Sequence, residues 1–149
     1  MAERTDIFIE RPNGLPIAAI EIKNSQSLTP EKATALRQSL LSYGLARRAP
    51  FFLLISQEHG FLWKEPASEV FDAPPTSVFP MTAVIVRYFP ELPAGERLRG
   101  SELELLVQQW LIDLAEKSRE AVDEPEKTLA DSGFLSAIRG ATVMAEAVP

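Results

Sequence analysis

Apolar residues alternate or run together in two short stretches near the N-terminus, Ile7 and Ile9 in the first and Ile17, Ile20 and Ile22 in the second. A period of two marks strands, and Arg11-Pro12-Asn13-Gly14-Leu15-Pro16 between them reads as a turn, with Asn13-Gly14 a strong hairpin signal. Thr29-Pro30-Glu31 then supplies a capping threonine, a proline at the first helical position and a first-turn acid. Ala33, Leu36, Leu40 and Tyr43 follow at helical spacing and predict a helix buried on one side, ending near Gly44. Phe51 to Ile55 is the short continuous apolar run expected of a central strand covered on both faces. Ser56 to Gly60 turns the chain, and Phe61-Leu62-Trp63 reads as the hairpin partner.

Beyond this point the pattern changes. From Glu65 to Pro80 the prolines at 66, 74, 75 and 80 predict a connection without regular structure, either a surface loop or a lid over a site. Met81 to Phe89 reads equally as a strand, from Val84-Ile85-Val86, or as a short helix. Ser101-x-x-Glu104 has the form of a capping box, and Leu103, Leu106, Val107, Trp110, Leu111 and Leu114 make one broad apolar helical stripe. Such a stripe packs into a core or forms a surface for a second protomer. Arg119 to Lys127 is charged and broken by Pro125, Asp131 is placed to cap a last short helix with Leu135 and Ile138, and Ala141 to Pro149 reads as a loosely held terminus.

Length and composition set bounds on this pattern. The 149 residues, 46% of them hydrophobic, suffice for one sizeable core, so a single domain is expected. Within it, residues 1–65 form a hairpin-helix-hairpin core, 66–100 a proline-rich connection and 101–149 C-terminal helices. The absence of cysteine excludes disulfides and cysteine-ligated zinc. No apolar run approaches the roughly 20 residues that span a bilayer, and nothing near the N-terminus resembles a signal peptide. The expectation is a soluble, cytoplasmic, bacterial-type protein with no membrane partner. A net charge of -6 argues against broad nucleic-acid affinity, which depends on cations neutralising phosphates, but leaves room for a local basic patch.

The candidate chemistry lies in the first hairpin. If Asn13-Gly14 form a two-residue loop, or Pro12 to Leu15 a four-residue one, paired positions sum to 27 and Asp6 faces Glu21. Opposed strand residues have Cβ atoms about 5 Å apart, and like charges so placed repel. A divalent cation with oxygen ligands resolves that repulsion. Lys23, two residues beyond Glu21 on the same face, adds a cation beside it, and a metal-bound water near a lysine is a plausible nucleophile toward a phosphate. A three-residue loop, Pro12-Asn13-Gly14, gives a sum of 26 instead and turns Asp6 toward Ile20. Only the odd sum gathers Ile7, Ile9, Ala18, Ile20 and Ile22 on one apolar face.

An acid opening one strand, a turn, and apolar residues leading into Glu21-Ile22-Lys23 resemble the PD-(D/E)XK nuclease superfamily, the restriction-endonuclease-like phosphodiesterases, in a bacterial branch with a reduced N-terminus. The resemblance covers residues 1 to 65. It implies an α/β (α+β) fold, a mixed sheet flanked by helices, here with an added C-terminal helical segment. It further implies Asp6 and Glu21 as ligands of Mg2+ or Mn2+, Ile22 as a ligand through its carbonyl, Lys23 as the catalytic cation and DNA as the substrate. The chain departs from the family in two places. Thr5 stands where the family has its namesake proline, and the helix and strand that open the family core have no counterpart in the four residues before Thr5. That layer is either dispensed with or supplied by the C-terminal helices or another chain.

In nucleases of this class the helix after the E-x-K strand passes beside the site, so Gln38 either orients a water or phosphate or, with Arg37 and Ser42, is part of a solvated polar face. Arg47 and Arg48 either contact phosphate or favour the helix C-terminus electrostatically. His59, the only histidine, reads as an exposed turn residue. Two further readings compete with the enzyme. One is a catalytically silent module that self-associates as a homodimer or binds a partner protein through the C-terminal helices. The other is an exposed acidic strand face paired with Arg4 and Lys23, with no metal.

Overall fold

The computed structural model describes residues 6–116 and 123–145. Arg4, Thr5, the stretch 117–122 that includes Arg119, and residues 146–149 lie outside them. The first hairpin pairs β1 (Ile7–Glu10) with β2 (Pro16–Ile22). Helix α1 (Pro30–Ser42) carries the chain across to β3 (Phe51–Ile55), which lies parallel to β2 and pairs antiparallel with β4 (His59–Lys64). Strand β5 (Ser77–Pro80) joins β4, and β6 (Thr142–Ala145) joins β1 from the other flank. The result is one six-stranded mixed sheet in the order β5-β4-β3-β2-β1-β6. The remaining helices are α2 (Thr82–Tyr88), α3 (Gly100–Glu116), α4 (Glu126–Asp131) and α5 (Phe134–Ile138). The chain is thus a mixed α/β protein with helices on both faces of its sheet.

Alternation along the strands builds the two layers. Ile7, Ile9, Ala18, Ile20, Ile22, Leu53, Ile55 and Leu62 pack against α2, α3, α4 and α5, whereas Phe8, Ala19, Phe52, Leu54, Phe61 and Trp63 pack on the opposite face, under α1. All five residues of β3 are buried, as a central strand requires. The α3 stripe, Leu103 to Leu114, is buried in the first layer and accounts for that helix as core. Six such side chains contribute of order 2 kcal/mol each.

The hairpin contains both registers that its sequence left open. Arg11 N donates to Leu15 O at 2.9 Å and Gly14 N to Arg11 O at 2.8 Å, with Gly14 at φ 87°, which is a three-residue loop of type I turn plus left-handed glycine. Glu10 accordingly pairs with Pro16, a sum of 26. A bulge between Ile9 and Glu10 then leaves Ile17 unpaired and restores 27 for Ile9 with Ala18, Phe8 with Ala19 and Ile7 with Ile20. Burial of two consecutive residues, Ile17 and Ala18, on one face offsets the loss of regular pairing.

Several expectations need correction. Tyr43 is not part of the α1 core face but 78% exposed, and Arg37, expected on a solvated polar face, is fully buried with Ala33 and Leu41. The proline-rich stretch is not without regular structure: it holds a 3-10 turn at Ala67–Glu69 and the edge strand β5, where Pro80 is tolerated because one side of an edge needs no ladder partner. It lies beside β4, two strands from β2. Residues 82–88 resolve to a helix. The α3 cap sits two residues earlier than the Ser101 box: Leu103 N donates to Arg99 O at 3.0 Å, and Glu102 Oε1 accepts from Arg99 N at 2.8 Å. Asp131 ends α4 rather than capping α5, whose cap is Gly133 at φ 87°. Residues 142–145, expected to be loose, are ordered by pairing with β1.

Candidate functional site

The site expected at Asp6, Glu21, Ile22 and Lys23 forms where β1 begins and β2 ends. Phe8 and Ala19 are paired and face α1, so Glu21, two residues on from Ala19, lies on that same face. It is 7% exposed, so this acid is not on an exposed strand face. Asp6 stands at a bend just before β1 and is half-buried. Its Oδ2 accepts a 2.7 Å hydrogen bond from Ile22 N, so its carboxylate reaches the backbone between Glu21 and Lys23. Lys23 N in turn donates to Ile55 O at 2.9 Å, which fixes the residue at the end of the β2–β3 pair with its side chain partly exposed.

Asp6, Glu21, Ile22 and Lys23 are therefore brought together by one strand end. Gln38, the fifth residue expected there, is exposed on α1. Two carboxylates and a main-chain carbonyl are the hard oxygen donors that magnesium or manganese takes, with waters completing the shell. No third acid joins them among the described residues. The donor set present thus fits such an ion, with one Asp6 oxygen accepting from the Ile22 amide.

The α1 face also carries a row of guanidinium groups over aromatic rings. Arg47 lies 3.5 Å from the Phe8 ring centroid, and Arg48 lies 5.0 Å from that of Phe71. Arg37 sits 5.2 Å from Phe52 and 5.0 Å from Trp63, and donates to Val70 O at 2.8 Å and to Ser68 O. Burial, with Arg48 nearby, pulls the Arg37 guanidinium down to about 10. Its Nε and the neighbouring Ser68 Oγ are buried without hydrogen-bond partners. The sequence does carry a signal for Arg37, which follows Ala33 and precedes Leu41 by one i,i+4 step each. Its charge obscured that reading.

A second polar cluster, invisible in the sequence, ties the C-terminal half to the end of the E-x-K strand. Asn24 Nδ2 and Gln57 Nε2 both donate to Leu98 O at 2.9 Å, Leu98 N donates to Gln57 Oε1 at 2.9 Å, and Gln57 also donates to Asn24 Oδ1. Arg97 donates to Asn24 Oδ1 at 3.2 Å and pairs with Glu58. Leu98 belongs to the layer away from α1, so this cluster supports the strand end from the side opposite Glu21.

No helix among the described residues is long and apolar enough to cross a membrane. Compared with protein-family models, curated proteins and solved structures, the chain finds no match.

Proposed function

We propose that this chain is a metal-dependent phosphodiesterase of the PD-(D/E)XK type acting on DNA, with its reaction centre at Asp6, Glu21 and Lys23. The observation that carries the reading is the hydrogen bond from Ile22 N to Asp6 Oδ2, together with the odd register of the inner hairpin. The order of elements adds support. A hairpin, a helical crossover to a parallel strand and a returning strand follow the acid as the resemblance requires. β6 flanks β1 and α3 covers the face away from α1, the places that the resemblance gives to a strand and a helix of the family core.

In this reading Asp6, Glu21 and the Ile22 carbonyl hold Mg2+ or Mn2+, which when bound lowers the pKa of a water and offsets charge on the phosphate. Glu21, buried, keeps its carboxylate oriented by the strand it sits on. Asp6 is fixed by the Ile22 amide, so neither acid needs to reorganise as the substrate arrives. Lys23 has a partly exposed side chain, suited to meet the attacking water and a phosphate oxygen. Gln38 enters only as an exposed polar group on α1 that meets substrate once it is bound. The test is cleavage of plasmid and single-stranded DNA by pure protein in magnesium or manganese, lost in Glu21→Ala and Lys23→Ala.

One observation favours the silent module. Leu105 on α3 and Val86 on α2 are 66% and 59% exposed, apolar surface that a homodimer or partner protein would cover. Failure to cut DNA in either metal, with a dimeric mass in solution, selects that reading.

A further inference from the structure

We propose that the buried Arg37 guanidinium, the Ser68 hydroxyl and the Arg48 guanidinium form a binding site for a small inorganic oxyanion of the phosphate class. The site shares no residue with Asp6, Glu21 and Lys23 and does not depend on the nuclease reading.

Arg37 is fully buried, and every partner it has is neutral. Nη1 donates to Val70 O, Nη2 donates to Ser68 O, and the group stands over the rings of Phe52 and Trp63. Arg48 stacks on Phe71, the residue after Val70, so both guanidinium groups meet the segment 68–71. Arg48 is close enough for its charge to act on Arg37, and with burial it brings that group down to about 10, still charged near neutrality. Among the described residues no carboxylate forms an ion pair with either arginine. The acids of the segment, Glu69 and Asp72, are exposed. Two like charges are thus held together, one of them buried, with no acid between them. A buried charge is costly unless it is paired.

The hydrogen-bonding groups left over are those an anion needs. Arg37 Nε and Ser68 Oγ are both buried without a hydrogen-bond partner. In a guanidinium the Nε hydrogen shares an edge with Nη2, which here donates to Ser68 O, so the unused donor opens on the Ser68 side. A water there would satisfy the two atoms and leave the charges unopposed; an anion answers both. A tetrahedral oxyanion can accept from Arg37 Nε, Ser68 Oγ and Arg48 through different oxygens, in the charge-assisted bonds that guanidinium groups favour. Arg48 is exposed, so the ion arrives from its side. Burial of the other two atoms limits the ligand to a small ion and excludes a nucleotide or a peptide.

The experiment is titration of the full chain with inorganic phosphate at constant ionic strength. Nuclear magnetic resonance of isotope-labelled protein follows the arginine Nε–H signals, assigned by through-bond correlation. The Arg37 Nε–H signal is expected to shift saturably with phosphate and to stay in place with sodium chloride. The apparent Kd is expected to rise roughly tenfold in Arg48→Gln and in Ser68→Ala, each of which removes one charge-assisted or hydroxyl bond. Arg99→Gln, which removes an equal charge from an 86% exposed side chain elsewhere, is expected to match the parent. The signal is read in the parent itself, so the result does not hang on a variant folding. An Arg37 signal that phosphate leaves unmoved, or that chloride moves equally, overturns the proposal and leaves a water or nothing beside Nε. Equal weakening in Arg99→Gln and Arg48→Gln overturns it as well, by reducing the effect to overall charge. Cleavage of DNA by the parent is untouched by any of these outcomes.

Discussion

Asp6 and Ile22 are joined by a 2.7 Å hydrogen bond from the Ile22 amide to Asp6 Oδ2, sixteen residues apart in sequence. The bond does two things at once: it caps the end of β2 with a side chain where β1 has bent away, and it delivers a carboxylate to the residue between Glu21 and Lys23. The structural role and the proposed chemical role therefore rest on different properties of the same group, its acceptor oxygen and its charge.

Those roles separate by substitution. Asp6→Asn keeps an acceptor for Ile22 N and removes the charge, so its stability is expected to stay within about 0.5 kcal/mol of the parent. Asp6→Ala leaves that amide unpaired and is expected to cost about 1–3 kcal/mol. Both are expected to lose metal binding. At a manganese concentration a hundred times its Kd the parent gains about 2.7 kcal/mol, and neither variant gains anything. Thermal unfolding with and without manganese measures all of this.

For Lys23 the expectation is the reverse. Lys23→Met retains both acids and is expected to keep the predicted manganese-induced rise in melting temperature, with stability changed by less than about 0.5 kcal/mol. Its cleavage rate falls by about 100-fold or more, the scale on which a lost transition-state donor is felt. A variant that loses metal binding together with activity would make Lys23 part of the fold instead.

Arg37 is the largest departure from hydrophobic patterning in the core. Its guanidinium is held by two carbonyls and two aromatic rings, so Arg37→Ala opens a cavity and strands both carbonyls, at a cost of about 3 kcal/mol or more. Arg37→Lys recovers the charge but not the planar fork and is expected to fall between. Urea denaturation ranks the three.

Glu126 carries a pH dependence. Burial alone would raise its carboxyl, but hydrogen bonds from Arg87 at 2.8 Å and from Trp110 Nε1 at 3.0 Å outweigh burial and hold it below the usual carboxylate value. A depressed acid contributes stability that is present above its unfolded pKa and lost as pH falls through the lower, folded one. Glu126→Gln is therefore expected to be less stable than the parent near neutrality. The gap should close as the pH falls through the depressed value of the folded state. Arg87 is partly exposed, so solvent screening keeps the neutral-pH difference to about 1–2 kcal/mol. Melting curves from pH 7 down to 3 measure the gap.

What could be read from the sequence was what short-range pattern determines. The hairpin, the Thr29 cap, the buried β3 and the α3 stripe all follow from spacing within one element. The bulge at Ile17 did not, because a three-residue loop and an odd register are incompatible until one residue is left out of the pairing. Arg37 was misassigned because its charge outweighed its position between Ala33 and Leu41, and the rings of Phe52 and Trp63 with the carbonyls of Ser68 and Val70, all brought in by other elements, make burial tolerable. Strand β6 and the cluster of Asn24, Gln57 and Leu98 depend on contacts spanning most of the chain, for which no local pattern exists.

The most direct measurement is a crystal soaked in manganese, with the anomalous signal located. The account predicts a peak bonded to one oxygen each of Asp6 and Glu21 and to the Ile22 carbonyl, with the Lys23 ammonium beside it. No peak there at millimolar manganese, with the Asp6 and Glu21 carboxylates directed to opposite faces of the sheet, would contradict it.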